Sequence, residues 1–282
     1  MTPFSLNIRG RLVEYTRPVV MGILNVTPDS FYPGSRAVTA DEVARRVAAM
    51  VDEGADIIDI GAYSSRPGAD DVSAEEETAR LRMGMAALRE VAPDIPVSVD
   101  TFRADVARIA VGELGCDMVN DISGTNLDPR MVETVAALRC PYVLMHMRGT
   151  PANMQEFTDY EDVTADVLSE LGDRLQWLAL EGVADVIVDP GFGFSKTLDQ
   201  NYELMHNLDK FRLFHRPILV GVSRKSMVTR LLDIPVDEAL AATTALNVMA
   251  LERGADILRV HDVRAARQAA RIYMAVSDAP RH

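Results

Sequence analysis

The residues best suited to chemistry in this chain form no compact triad. They recur singly, where short apolar runs stop: Asn25, Asp100, Asn120 with Asp121, His146, Asp189, Ser223 to Ser226, and Arg259 with His261. Ser65 and Arg66 follow one further run by a few residues. Arg259 and His261 are two apart, so on a strand both face the same way, and a buried arginine needs an anion or another partner. Arg224 and Lys225 stand where a helix begins. The helix dipole disfavours cations there, so a bound anion would account for them; solvated loop charges are the alternative. The carboxylates of Asp100 and Asp189 can each accept two parallel N–H bonds, which suits the amino-pyrimidinone edge of a pterin or guanine. Structural caps, or an ion pair with Lys225, would use them as well. Asn120 both donates and accepts and can complete such an edge. Asn25 offers a neutral oxygen of the kind that suits Mg2+ held mostly by phosphates and water. His146 fits a core or loop histidine as well as a functional one.

Other chemistries lack their signatures. Gly191-Phe-Gly193 follows a strand but has no third glycine at dinucleotide-binding spacing, and there is no GxxxxGK, HExxH or GxSxG. The Met residues around positions 83–85 and 145–147 suit packing. A net charge of −13 over 282 residues, with pI near 4.8, speaks against nucleic acid and acidic membranes as partners. Any phosphate substrate must then be met by a local basic site. Cys116 and Cys140 form no CxxC pair, which fits a reducing, cytoplasmic setting. Residues 1–10 carry no basic-then-apolar pattern, and no apolar run approaches membrane-spanning length.

The elements that must position these residues repeat one unit: an apolar strand, a polar or Gly-rich turn, a helix. Strands are expected at 19–24, 56–60, 97–100, 118–120, 142–146, 186–189, 218–221 and 257–261. Thr39 with Glu42 and Ser73 with Glu76 have capping-box spacing, Asp128-Pro129 suits a helix start, and Gly54, Gly115, Gly182 and Gly254 suit helix ends. Val43, Val47, Met50 and Val51 fall on one face of the first helix. Eight strand–helix units in this length predict a single α/β domain, a (β/α)8 barrel, with a doubly wound sheet as the competing arrangement. Residues 1–16, with two short strands around Gly10, are expected to form a hairpin under the barrel of 17–276. In a barrel, the polar residues gathered at strand ends all fall at the C-terminal mouth. The longest loops are 27–38, 62–72 and 148–160.

The motifs then match a known pattern. Met21-Gly-Ile-Leu-Asn25-Val-Thr27-Pro-Asp29-Ser30-Phe31, Ser64-Ser65-Arg66-Pro67-Gly68, Ser98-Val-Asp100-Thr101, Asn120-Asp121-Ile122-Ser123-Gly124, Met145-His146-Met147, Asp189-Pro190-Gly191-Phe192-Gly193-Phe194, Ser223-Arg224-Lys225-Ser226 and Arg259-Val-His261-Asp262 closely resemble those of dihydropteroate synthases, in order over nearly the whole chain. The resemblance implies a cytoplasmic transferase of folate biosynthesis, a pterin-binding TIM barrel and sulfonamide target that uses Mg2+ and is typically a homodimer through its later helices. It implies pterin contacts from Asp100, Asn120, Ile122, Met145, Asp189, Lys225 and Arg259. It implies a pyrophosphate site of Asn25, Arg66, Arg259 and His261, with Asn25 also on the metal. It implies a para-aminobenzoate pocket of Ser65, Pro67, Phe194, Lys225 and Ser226. Catalysis would then rest on Asn25, Arg66, Lys225, Arg259 and His261, with loops 27–38 and 62–72 ordering over bound substrates. The sequence departs from the family at Ala62-Tyr63, where Gly-Glu is frequent, at Ser65, where Thr is frequent, and at Ser195, where Gly or Ala is common. These changes touch the second substrate's pocket, on which sulfonamide sensitivity turns. A methyltetrahydrofolate methyltransferase-type barrel, a silent pterin-binding homologue and a phosphate-binding aldolase or isomerase are the rival readings. The first needs no pyrophosphate site, and the last would show a Schiff-base lysine or acid–base glutamate.

Overall fold

The computed structural model describes residues 2–27, 39–63 and 72–280. Two antiparallel strands, β1 (Phe4–Ile8) and β2 (Arg11–Tyr15), form a hairpin. Eight parallel strands follow: β3 (Val19–Asn25), β4 (Ile57–Gly61), β5 (Val97–Asp100), β6 (Met118–Asp121), β7 (Tyr142–Met145), β8 (Val186–Asp189), β9 (Leu219–Val220) and β10 (Ile257–Val260). Their order is β8-β7-β6-β5-β4-β3-β10-β9. A parallel bridge between Val188 and Ile218 joins the two ends, so the sheet closes on itself and the doubly wound alternative is set aside. Around it lie α1 (Ala40–Asp52), α2 (Ala74–Val91), α3 (Ala104–Gly112), α4 (Met131–Leu138), α5 (Val163–Leu180), α6 (Leu198–His206), α7 (Ser226–Leu232), α8 (Leu240–Glu252) and α9 (Val263–Ser277).

Strand alternation sorts the residues. Val20, Ile58, Val99, Val119, Leu144, Val188, Val220 and Leu258 point outward into the large core shared with the helices. The opposite parity points inward. Its lower layer is apolar: Val19, Met21, Ile57, Met118, Val143, Ile187, Leu219 and Ile257, closed from below by Leu6 and Ile8 of the hairpin. The expected placement of the hairpin is therefore observed. Helices lie close to the strands where a side chain is missing. A Cβ on Gly84 of α2 would come within 2.8 Å of Ile60 and 2.9 Å of Val26.

Four aspartates fasten the lower rim. Asp56, Asp117, Asp185 and Asp256 each stand one residue before a strand. Their carboxylates accept the backbone N–H of Val20, Val97, Asn7 and Ile218, at 2.8, 2.8, 2.8 and 3.0 Å. Each thereby fastens a neighbouring segment, and for Asp185 that segment is the hairpin strand β1. Arg9 adds a 2.6 Å ion pair from the hairpin to Asp117.

Most sequence expectations for the helices hold. Thr39 and Glu42 form the reciprocal capping box, and Ser73 accepts from Glu76 N. Val43, Val47 and Met50 are buried, but Val51 is 40% exposed, because the apolar stripe is narrower than the sequence suggests. Asp128 serves two helix starts: its Oδ1 accepts from Arg130 N just ahead of α4, at 3.1 Å, and its Oδ2 accepts from Ala104 N at the start of α3, at 3.0 Å.

Candidate active site

Strand register aligns the polar upper layer. Asn25 of β3 pairs with Gly61 of β4, Gly61 with Asp100 of β5, and Asp100 with Asn120 of β6. Met145 of β7 pairs with Asp189 of β8. The missing side chain at Gly61 keeps this row open: a Cβ there would stand 3.3 Å from Asp100 Cβ and 3.6 Å from Asn25 Oδ1. Across the mouth, a Cβ on Gly221 would lie 3.8 Å from Arg259 Cβ and 3.9 Å from Lys225 Nζ. Two residues from distant motifs thus meet beside one glycine.

Arg259 is the hub. Its Nε donates to Asp59 Oδ2 at 2.7 Å and its Nη2 to Asp100 Oδ2 at 2.6 Å. Asp59 also accepts from Asn120 Nδ2 at 3.0 Å, and its Oδ1 is buried without a hydrogen-bond partner. Burial works against the Arg259 charge, but Asp59 and Asp100 outweigh it and hold the guanidinium protonated. Burial pushes the Asp100 carboxyl up, Arg259 pulls it back, and Asp59 pushes it up again. Asp189 is also raised by burial, against the pull of Lys225 and of the Gly191 N–H, which donates to its Oδ1 at 2.8 Å. Burial lowers Lys225 to about 8, with Asp189 opposing. Its ammonium donates to Phe192 O at 2.5 Å and stands 4.6 Å from the Phe194 ring centre.

An apolar wall faces these charges. Ile122, Met145, Met147 and Met154 form a buried cluster, with Phe102, Leu127 and Phe194 packed against it. An apolar wall beside acceptors that can take N–H bonds suits a flat, polar-edged ring.

Of the expected site residues, Asn25, Asp100, Asn120, Ile122, Met145, Asp189, Phe194, Lys225 and Arg259 come together at the mouth. His261 follows β10, with Nδ1 3.1 Å from Ser223 Oγ and its carbonyl accepting from Arg46. Ser226 is exposed at the start of α7. Ser65, Arg66 and Pro67, with most of loops 27–38 and 62–72, lie outside the described residues. Two sequence readings change, and the choice left open for His146 falls to a core position. Arg224 needs no bound anion: it forms a two-pronged ion pair with Asp262, at 2.8 and 2.9 Å. Asp121 is structural, accepting from Ser123, Thr125 and the Tyr142 hydroxyl. His146 is fully buried beneath the loop after β8. Asp59 was missed, although a lone carboxylate within the apolar strand 57–61, at inward parity, was the signal.

The departures from the family pattern have partners. Tyr63 packs edge-on against Phe102, with ring centres 5.1 Å apart, and Arg103 lies over both rings. Ser195 Oγ accepts from Arg148 N at 3.0 Å, tying the loop after β8 to the loop after β7.

A closed eight-strand barrel with a ring-edge slot at its C-terminal mouth defines a barrel enzyme acting on a flat heterocycle. Comparison with known proteins narrows that class. Residues 21–261 match the family described as pterin binding enzyme. The chain is 43% identical to the dihydropteroate synthase of Synechocystis sp. over 91% of this chain and 89% of that one. It superimposes with a TM-score of 0.91 on the Xanthomonas albilineans dihydropteroate synthase solved with 4-aminobenzoic acid, at 37% identity over 99% of this chain and 100% of the other. A complex of the Xanthomonas enzyme with 7,8-dihydropteroate gives 0.87, at 35% identity over 98% of this chain and 100% of the other. The chain belongs to the dihydropteroate synthase family of pterin-binding enzymes.

Proposed function

We infer that the chain joins 6-hydroxymethyl-7,8-dihydropterin pyrophosphate to para-aminobenzoate, giving 7,8-dihydropteroate and pyrophosphate in folate synthesis. The observation that carries this reading is the meeting of Asp100, Asn120, Asp189, Lys225 and Arg259 at one mouth, supplied by five separate segments. Asp100, Asn120 and Asp189 receive the amino-pyrimidinone edge, Ile122 and Met145 form the wall behind the ring, and Lys225 and Arg259 supply positive charge.

The C–O bond to pyrophosphate breaks and its electron pair leaves with the phosphate. Charge on the methylene carbon spreads into the pterin. The neutral aryl amine then forms the C–N bond and releases a proton to water. No strong base is required. Arg259 and His261, with Arg66 from outside the described residues, neutralise the leaving group. Phe194, Lys225 and Ser226, with Ser65 and Pro67, hold the aryl carboxylate and ring so that the amine is in line. Among the described residues no group of three or more His, Cys, Asp or Glu side chains could hold a metal ion. Asn25 Oδ1, beside Gly61, offers one neutral oxygen, a donor set that suits Mg2+ only where substrate phosphates and water complete the shell. When bound, Mg2+ would offset the charge of the departing pyrophosphate.

A homodimer is part of the proposal. Helix α8 is apolar nearly all round, yet Leu240, Ala241, Ala245 and Met249 are exposed, and α9 beside it exposes Ile272 and Val276. A helix of that composition is normally covered on every side, and a two-fold copy would cover both. No described helix is long and apolar enough to cross a membrane, and the compartment proposed is the cytoplasm.

The direct test is incubation of the protein with the pterin pyrophosphate, Mg2+ and para-aminobenzoate. Stoichiometric pyrophosphate and dihydropteroate are expected. Absence of dihydropteroate from the complete mixture would overturn the reading.

A further inference from the structure

The loop after β8 is held by two lysine amino groups, one from each side, and only one of them faces the mouth. Lys225 takes Phe192 O from above. From below, Lys196 donates to Gly191 O and to Phe194 O, both at 3.1 Å, and its Nζ stands 3.0 Å from His146 Nδ1. Lys196 is 3% exposed and His146 not at all. Behind them, His146 Nε2 stands 3.1 Å from Glu170 Oε2, and Glu170 Oε1 accepts from Arg148 Nε at 2.8 Å and Nη2 at 2.5 Å.

These contacts fix the proton positions on the ring. A carboxylate has no proton, so Nε2 must donate to Glu170, and the neutral ring then accepts at Nδ1 from Lys196, whose ammonium is lowered by burial to about 7, with Asp189 opposing. Burial and Lys196 drive His146 down to about 3, so the imidazole stays neutral. His146 and Arg148 hold Glu170 at about 2 against its burial. The result is a carboxylate–imidazole–ammonium relay ending on the loop carbonyls.

An ammonium is an expensive filler for this space, because a methionine of similar length would bury without losing solvation. Its contribution must lie in what a methionine cannot do, which is to hold carbonyls three residues apart. The loop is crowded on both sides. A Cβ on Gly191 would lie 1.9 Å from His146 O, and one on Gly193 would lie 3.0 Å from Lys225 Cδ. A shift of the loop therefore moves Lys225 and the Phe194 ring with it.

We propose that Lys196, seated on His146 and Glu170, is a positioning residue for the reaction, setting the loop 190–195 so that Lys225 and Phe194 meet the two substrates. This rests on the function inferred above, and the test separates the two. Wild type, K196M, H146N and H146Q are assayed for dihydropteroate formation, and backbone hydrogen exchange is followed in residues 190–195 against strands β7 and β8. Asparagine keeps an acceptor near Nδ1 for Lys196, whereas glutamine keeps the reach to Glu170 and leaves Lys196 without its third acceptor. K196M and H146Q should raise KM for para-aminobenzoate about tenfold, with kcat reduced less, and speed exchange in 190–195 about tenfold relative to the strands (on the order of 1.4 kcal/mol). H146N should stay within about threefold of wild type in KM. A purely structural role would lower thermal stability or the active fraction in all three variants and leave KM unchanged, which would overturn the proposal. Exchange in 190–195 that tracks the strands in K196M would overturn it independently, even if the wild type formed no dihydropteroate. That last result would refute the proposed function alone. If K196M does not fold, the two His146 variants decide the question by the same measurements.

Discussion

Both rims of the barrel are ringed by aspartates, and the two rings do different work. At the lower rim, Asp56, Asp117, Asp185 and Asp256 each accept a backbone N–H of a neighbouring segment. At the upper rim, Asp59 and Asp100 meet the side chain of Arg259, and Asp189 lies within reach of Lys225. A carboxylate bound to a main-chain group at a strand start fixes geometry and cannot be released without moving the strand. A carboxylate bound to another side chain can exchange that partner for a ligand. The partner decides whether the same residue type is structural or chemical, and Asp121, at the upper end of β6, belongs with the structural set.

Five substitutions and one titration can break or sharpen that contrast. The largest effect belongs to Arg259→Met, which removes the cation shared by Asp59 and Asp100. Turnover should fall by about a hundredfold or more, ~3 kcal/mol of transition-state stabilisation; near-normal kcat in steady-state assays would remove Arg259 from the leaving-group role. Met118→Ala, in the lower layer, should cost roughly 2–4 kcal/mol in urea unfolding while KM of the folded enzyme stays within twofold. A changed KM would show that the layers are coupled. Asp117→Asn and Asp100→Asn form a matched pair. The first should cost about 2 kcal/mol of stability, because a buried charge-assisted bond to Val97 N is lost, with little change in affinity. The second should weaken pterin binding by about tenfold in calorimetry, since an acceptor becomes a donor facing donors. Similar profiles for the two would end the distinction. The smallest effect is in pH. Lys225 loses its proton near 8, so kcat/KM should fall as pH rises through that value. Lys225→Arg, if active, should carry the limb to higher pH.

Much of the architecture was legible because it depends on local rules. Strand parity put Arg259 and His261 on one face before any partner was known, and the glycines at 54, 115, 182 and 254 mark helix ends through their positive φ. What the sequence left open was the identity of partners far along the chain. Arg224 could be read as an anion site only while Asp262, 38 residues away, was unassigned. Asp59 gains its meaning from Arg259, 200 residues on. Asp128 follows helix-start rules and also serves the neighbouring helix, which no local rule shows. The capping box of Thr197 with Gln200 has the same spacing as that of Thr39 with Glu42, and was missed although it could have been found. The relay under the loop after β8 draws on residues 146, 170 and 196, and no spacing pattern links them.

The pairing of β3 with β10 has a consequence for how the molecule comes into being. On the ribosome the first strand of the ring emerges long before its partner on that side exists. A growing sheet with two bare edges must therefore be tolerated until the last strand is released. The hairpin, although it precedes the ring, waits for Asp185 before Asn7 finds its acceptor. Closure is a late, whole-chain event, and the slowness of such long-range contacts makes the nascent protein depend on protection while it is still unfinished.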